Sequence, residues 1–378
     1  MFPAKILFIG EYIGFLGGIE RYACQTALEL RRNGCEVFYS GAAEAKDAPL
    51  FSAAFSGVLS REESTVDKNY SLVVLHKLCP PEYLEALRRI YGERLVFFAH
   101  DHDAYCPRRH YYTPFGRTNC RRSFSYPRCT VCAALSNPKG RARSTGESAK
   151  LLAELREHRA VVISNFMREN LVKNGFSKSN IFLVPPFVDS VERRKSFFKD
   201  GVLHILFLGQ LIKGKGVDLL LESAARLKIP FELTIAGDGS DAHNLKKLAA
   251  KLGLSKKVKF ADWVSDTSAL FGNADLLAFP SRWQEPFGLV GLESISRGVP
   301  AVGFAVGGVG EWLKDSVSGF TVPERDTSQF AAAMEKFFNG GNSSLALRLS
   351  ESSAGFAEHN FSRSEFLKSF KILLESQK

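Results

Sequence analysis

The sequence predicts an α/β protein built from two doubly wound parallel-sheet domains with a cleft between them. Three observations carry this. Short apolar runs alternate with amphipathic segments along nearly the whole chain. The alternation restarts after a polar, charged stretch at Val191–Gly201. A chain of 378 residues is also more than one small core needs, so two domains are the natural expectation. Strands separated by helices require right-handed crossovers and therefore mostly parallel sheets. Ligands of such folds sit at the carboxyl ends of the strands.

The elements follow in order. Ile6–Ile9 reads as a buried strand, followed by the glycine-rich turn Gly14-Phe15-Leu16-Gly17-Gly18 and a helix from Ile19 to about Asn33, with Gly34 as its stop. Glu36–Tyr39, Ser71–His76, Leu95–Ala99, Ala160–Ser164 and Phe182–Val184 are further strands, and Pro185-Pro186 closes the first half. The second half runs strand Leu203–Leu208, helix Val217–Leu227, strand Phe231–Ala236 and helix Leu245–Leu252. Strand Val258–Phe260, helix Thr267–Asn273, strand Asp275–Phe279, helix Leu289–Arg297 and strand Ala301–Phe304 follow. A last helix is expected over Ser362–Ser376.

Charge is distributed unevenly. The net charge is +10, yet from Ala104 to Gly146 there is no acidic residue, while Arg108, Arg109, Arg117, Arg121, Arg122, Arg128, Lys139, Arg141 and Arg143 all fall there. Three readings stand: a solvated loop, a surface for anionic lipid headgroups or a phosphate-bearing acceptor, and, least favoured, a nucleic-acid contact with interleaved Tyr and Phe. No apolar run approaches the roughly 20 residues of a membrane span. The opening segment Met1–Gly10 is too short and too soon interrupted for a signal peptide. The expectation is a cytoplasmic chain, peripheral at an inner membrane face.

Glu285 and Glu293 carry the most chemical information. They lie in Ser281-Arg282-Trp283-Gln284-Glu285-Pro286-Phe287-Gly288-Leu289-Val290-Gly291-Leu292-Glu293. Pro286 and Gly288 argue for a loop holding Glu285 and a helix, beginning near Phe287 or Gly288, holding Glu293. The backbone N–H groups of Phe287, Gly288 and Leu289 then form an anion-binding helix start between two hydroxyl acceptors. The turn Gly209-Gln210-Leu211-Ile212-Lys213-Gly214-Lys215-Gly216 follows a strand, and its Lys215 can neutralise a phosphate. Gly17 and Gly18 can bring backbone N–H groups to a pyrophosphate, although a plain tight turn uses glycine too.

With these residues in view, the chain resembles the family 4 retaining glycosyltransferases of the GT-B fold, two Rossmann-like domains. The matching pieces are Gly17-Gly18-Ile19-Glu20, Gly209-Gln210-Leu211 with Lys215-Gly216, and Ala236-Gly237-Asp238-Gly239. Ala274-Asp275 with Pro280-Ser281, Glu285-Pro286-Phe287-Gly288-Leu289 with Glu293, and Gly298-Val299-Pro300 with Gly307-Gly308 and Glu311 complete them. The resemblance implies an acceptor-binding domain over 1–190, a donor-binding domain over 191–357 and a helix over 358–378 that crosses back. It implies a UDP- or GDP-sugar donor, a glycan or lipid-linked acceptor, and no catalytic metal. Glu293 would hold the ribose hydroxyls, Glu285 the hydroxyls of the donor sugar, and Lys215 with the backbone at Gly18, Phe287, Gly288 and Leu289 the leaving diphosphate. His100 would sit near the donor sugar, with Asp101, Arg108 and Arg109 on the acceptor side. The family usually has arginine where Gln210 stands; glutamine donates a hydrogen bond but carries no charge, so another cation is expected to compensate. Two rivals remain, a nucleotide-sugar epimerase of the same fold and a nucleic-acid-binding protein that uses the Arg- and Cys-rich segment.

His100-Asp101-His102-Asp103 alternates along a loop, which points its side chains apart and disfavours a metal site. Of seven cysteines, Cys24, Cys35 and Cys79 lie among apolar residues and read as buried thiols. Cys106, Cys120, Cys129 and Cys132 cluster, the last two as CxxC. Some family members look similar here. A structural zinc tetrahedron that pins the insertion over 104–146 is one expectation, free thiols or redox pairs the other.

Overall fold

The computed structural model describes residues 4–376 apart from 80, 115–117, 136–142, 189–192, 194, 195 and 265. Arg117, Lys139 and Arg141 of the basic stretch lie outside the described residues, as does part of the polar break at 191–201. The chain divides into two units, Met1–Pro186 with Phe366–Lys378, and Phe187–Glu365.

The first unit holds a sheet of seven parallel strands: β1 (Lys5–Ile9), β2 (Glu36–Ser40), β3 (Gly57–Leu59), β4 (Leu72–Leu75), β5 (Leu95–Ala99), β6 (Arg159–Val162) and β7 (Ile181–Leu183). Their order is β3-β2-β1-β4-β5-β6-β7. Helices cover the strands, so the central ones are apolar at consecutive positions rather than alternate ones. Leu95–Ala99 is buried at all five positions. One face of the sheet packs Leu7, Ile9, Val73, Leu75, Phe97 and Val162 against Leu84 and Leu87 of helix Pro81–Tyr91 and Leu152 and Leu155 of helix Thr145–Arg156. The basic stretch, left without elements by the sequence, contains helix Tyr126–Ala134.

The second unit repeats the design with six parallel strands: β8 (Leu203–Leu208), β9 (Phe231–Ala236), β10 (Val258–Ala261), β11 (Leu276–Phe279), β12 (Ala301–Phe304) and β13 (Gly319–Val322), ordered β10-β9-β8-β11-β12-β13. In both sheets the strand order reverses beside the first strand, between β1 and β4 and between β8 and β11. At such a switch point the loops leave in opposite directions and open a crevice for ligand. The loops there are Gly10–Gly17 and His76–Lys77 in the first unit, and Gly209–Gly216 and Pro280–Gly288 in the second. Helix Arg363–Glu375 begins in the second unit and continues in the first, with Phe366, Phe370 and Leu373 buried.

Helix Leu289–Ser296 is seated on Trp312, which is fully buried and donates its indole N–H to the Phe287 carbonyl at 2.7 Å. Gly288 enters the helix at φ +94°, a left-handed conformation that costs glycine nothing. Gly291 lets the helix approach the indole: a Cβ there would lie 2.0 Å from Trp312 Cζ2. Gly291→Ala is therefore expected to destabilise the second unit by about 1–3 kcal/mol through overpacking, read as a lower urea midpoint. An unchanged midpoint would contradict this seating.

Candidate functional site

At the switch point of the second unit, β8 runs into a tight turn at Lys213–Lys215, and Gly216, at φ +71°, caps helix Val217–Ala224. β11 runs into the segment carrying Glu285. The two loops are stitched together. Arg282 donates from its backbone N–H to the Gly214 carbonyl at 2.8 Å and from Nη1 to the Lys213 carbonyl at 3.2 Å. Its Nη2 bonds Asp218 Oδ2 at 2.7 Å, and Lys213 Nζ meets the same oxygen at 2.9 Å. Burial works against an ionised Asp218, but hydrogen bonds from Arg282 and Lys213 hold its carboxyl below the usual range.

This brace presents Lys215 to Glu285. Lys215 Nζ donates to Glu285 Oε1 at 2.7 Å, and Ser281 Oγ donates to the same oxygen at 2.6 Å. The carboxylate is nearly buried, while the lysine keeps about a quarter of its side chain exposed. A charge so deep is held by its partners, and removing one leaves the other desolvated and unmet. Glu285 is fixed from behind as well, because its backbone carbonyl accepts from the Gly308 N–H at 2.7 Å.

The helix of Glu293 starts at Leu289, with Gly288 as its cap and no side-chain cap hydrogen bond. The uncapped start follows directly on the Glu285 loop. Glu293 lies in the helix's second turn. Thr267 Oγ1 donates to its Oε1 at 2.5 Å, and Arg297 approaches that oxygen at 3.6 Å. Phe287 is buried against Phe361 and offers backbone rather than side chain. Gln210 is exposed on the turn after β8. Arg282 does not compensate for the uncharged residue, since its donors serve Asp218 and the Lys213 carbonyl. The cations on this turn are Lys213 and Lys215.

In the first unit, Gly17 does not offer its amide as expected. Its N–H donates to Glu20 Oε2 at 2.9 Å, closing the start of helix Gly18–Arg32 on itself. Burial raises the Glu20 pKa. Beyond β5, His100 Nε2 lies 2.7 Å from His76 Nδ1 at the end of the neighbouring β4. Burial depresses both imidazoles, His76 to about 3 and His100 well below its ordinary value, with His76 and Lys77 adding to the latter.

The alternating pattern after His100 separates its side chains. His102 Nδ1 meets the buried Tyr105 hydroxyl at 2.6 Å. Asp101 and Asp103 converge on Lys77, each at 2.5 Å, and the Asp103 N–H donates to Asp101 Oδ1 at 2.8 Å. Arg109 Nε is 3.7 Å from Asp103 Oδ1, and Arg143 Nη1 donates to the Asp103 carbonyl at 3.1 Å. Arg108 donates to the Tyr112 carbonyl. Asp101 thus serves a half-buried ion pair, and Arg109 is the more exposed of the two candidate arginines.

The zinc tetrahedron is not assembled. Among the described residues no three His, Cys, Asp or Glu side chains are placed to hold a metal ion. Cys129 and Cys132 lie one turn apart on helix Tyr126–Ala134, where Cys129 Sγ accepts the Ser125 N–H at 3.5 Å. None of the four forms a disulfide. They share a neighbourhood: burial pushes Cys106 up to about 11, with Cys120 and Cys132 adding to it.

Residues missed by the sequence reading are Ser281, Arg282, Asp218 and Thr267 in the second unit, and His76 and Lys77 in the first. His76 and Lys77 had a readable signal, since they follow a strand at the switch point. Ser281 stands in the matched pair Pro280-Ser281 but had no role there, and Arg282, Asp218 and Thr267 carry no signal until the fold brings their partners to them.

Residues 188–354, inside the second unit, match the family model of the glycosyl transferases group 1. The lipopolysaccharide core biosynthesis glycosyltransferase LpsE of Rhizobium meliloti (strain 1021) is 34% identical over 190 residues, 50% of this chain and 55% of that protein. The D-inositol 3-phosphate glycosyltransferase of Mycobacterium sp. (strain KMS) is 28% identical over 372 residues, 91% of this chain and 83% of that protein. The chain spans about half the length of LpsE and of several other curated relatives it matches. Among solved structures, Anabaena Alr3699/HepE in complex with UDP and glucose superposes with a TM-score of 0.75 at 18% identity, covering 99% of this chain and 100% of that one. The fold is of the GT-B class.

Proposed function

We propose that this protein is a retaining glycosyltransferase that moves a sugar from a nucleotide diphosphate donor to a glycan or lipid-linked acceptor. The observation that carries the reading is the Lys215–Glu285 pair next to an uncapped helix start, with Glu293 in the helix behind it. A diphosphate drawn to that start competes with Glu285 for Lys215. Lys215 and Lys213 then meet charge that grows on the leaving diphosphate, helped by the amides of Phe287, Gly288 and Leu289. Glu285, released from Lys215 but still held by Ser281, accepts hydroxyls of the donor sugar. Glu293, oriented by Thr267, accepts the ribose hydroxyls. No step is assigned to a divalent ion. The first unit, read as acceptor-binding, offers His100 to a sugar hydroxyl and the amide of Gly18 to phosphate, with Arg108 and Arg109 toward an anionic acceptor. UDP and glucose in the Anabaena protein support a UDP-sugar donor, and the name of the Rhizobium relative supports a glycolipid acceptor.

An anionic membrane surface is the second part of the proposal. Helix Tyr126–Ala134 turns Tyr126 and Val131 outward, and Leu135 just beyond it, at 58%, 53% and 60% exposure. Arg121, Arg122 and Arg128 are exposed beside them, and no acidic residue occurs between 104 and 146. Apolar side chains flanked by arginines suit the headgroup boundary of an anionic bilayer. Among the described residues no helix is long and apolar enough to cross a membrane.

Two outcomes follow. With a nucleotide sugar chosen by thermal stabilisation from a panel, Glu293→Ala is expected to raise the donor KM roughly tenfold, and Glu285→Ala to lower kcat by roughly a hundredfold. Wild-type kinetics in both variants would remove the donor site from this place. In vesicle sedimentation, the protein is expected to bind phosphatidylglycerol vesicles at least about tenfold better than neutral ones at low salt, and Val131→Glu/Leu135→Glu to abolish the difference. Equal binding to both vesicle types contradicts the membrane reading.

A further inference from the structure

His76 and His100 end adjacent parallel strands, β4 and β5, and their rings meet at the switch point of the first unit. Both are buried, at 2% and 8% exposure. The Phe98 ring lies parallel to His100 at 4.0 Å between centroids with 6° between planes, which fixes the plane of the imidazole. The 2.7 Å contact between His76 Nδ1 and His100 Nε2 fixes which nitrogen points inward. A contact this short needs one proton between the two nitrogens, so one ring donates and the other accepts. The direction of that bond decides whether His100 Nδ1 is a donor or an acceptor.

The surroundings of His76 choose the direction. His76 Nε2 is buried with no hydrogen-bond partner. Neither a bare lone pair nor an N–H there meets a conventional partner. The ring of Phe8 stands against His76 at 4.5 Å between centroids, inclined by 65°. Such an edge-to-face arrangement lets an N–H lie over an aromatic face and recover part of the lost bond. A proton on His76 Nε2 makes its Nδ1 the acceptor and His100 Nε2 the donor across the contact.

We propose that His76 is a positioning residue that holds His100 in the Nε2–H tautomer and keeps His100 Nδ1 bare as an acceptor for a substrate hydroxyl. The role rests on reading His100 as a contact to the transferred sugar. The pair itself does not, which allows the two to be tested apart. Lys77, next in sequence, and Tyr22, whose ring lies 5.3 Å from His100, are the charged and titratable groups facing the pair. The lysine's charge helps to keep His100 neutral.

The test is long-range proton–nitrogen correlation on the full chain labelled with 15N-histidine, between pH 5 and 8. The expected spectrum shows His100 with a protonated Nε2 and a bare Nδ1, and neither ring titrates. A protonated His100 Nδ1, or titration of either ring near its ordinary value, overturns the proposal. His76→Leu is expected to scramble the His100 tautomer and lower kcat about tenfold with little change in donor KM. His76→Asn, whose side-chain oxygen accepts in place of Nδ1, is expected to recover most of both. Equal losses in the two variants would make His76 mere packing and overturn the proposal. Wild-type turnover in His100→Ala, with the predicted spectrum intact, overturns the role by removing His100 from the reaction while leaving the geometry of the pair in place.

Discussion

The position of the Glu285 carboxylate governs the second unit's site. It is nearly buried, and the charges near it are arranged around that fact. Lys215 and Ser281 both donate to one of its oxygens. Lys215 stands there because its turn is tied by Arg282 and Asp218 to the loop of Glu285 itself. An ion pair of this kind adds little stability against a well-packed apolar substitute. In the proposed function its value is poise: a lysine held by a displaceable partner next to an open helix start would be ready for an anion, whose arrival would free the carboxylate for hydroxyls.

The same architectural device appears twice. Each sheet reverses its strand order beside its first strand, and in each unit the charged residues sit on the loops leaving that point. In the second unit these are Lys215 and Glu285; in the first, Lys77, with the His76 imidazole beside it and His100 and Asp101 on the adjacent loop after β5. The first unit handles its charges differently. Lys77 is locked between Asp101 and Asp103, and burial of His76 and His100 keeps both imidazoles neutral. Lys77 is thus paired twice over, whereas in the proposed function the pair in the second unit exchanges partners.

Much of the fold was legible because parallel strands covered on both faces leave continuous apolar runs, as Leu95–Ala99 and Leu203–Leu208 do. Of the strands in the two large sheets, those the reading lacked, Gly57–Leu59 and Gly319–Val322, are edge strands of three and four residues that begin at glycine. The helix at Tyr126–Ala134 was hidden by proline and by a weak amphipathic pattern among cysteines and arginines. For the site, Glu285, Glu293 and Lys215 stood out by residue type and spacing. Ser281, Thr267, Arg282 and Asp218 did not, because what they touch is set by strand order. Gly17 looked available from sequence, yet Glu20, three residues on, takes its amide. The four clustered cysteines share a neighbourhood without forming a ligand set, which spacing alone could not decide.

The central claim is that Lys215 belongs to the diphosphate and is only parked on Glu285. The most direct measurement is the UDP dissociation constant by calorimetry for wild type, Lys215→Met and Glu285→Gln. The account predicts roughly tenfold weaker binding for Lys215→Met, which loses a charge-assisted contact. It predicts equal or tighter binding for Glu285→Gln, which releases the lysine. UDP binding weakened to the same extent in both variants would contradict it and make the pair a structural brace alone.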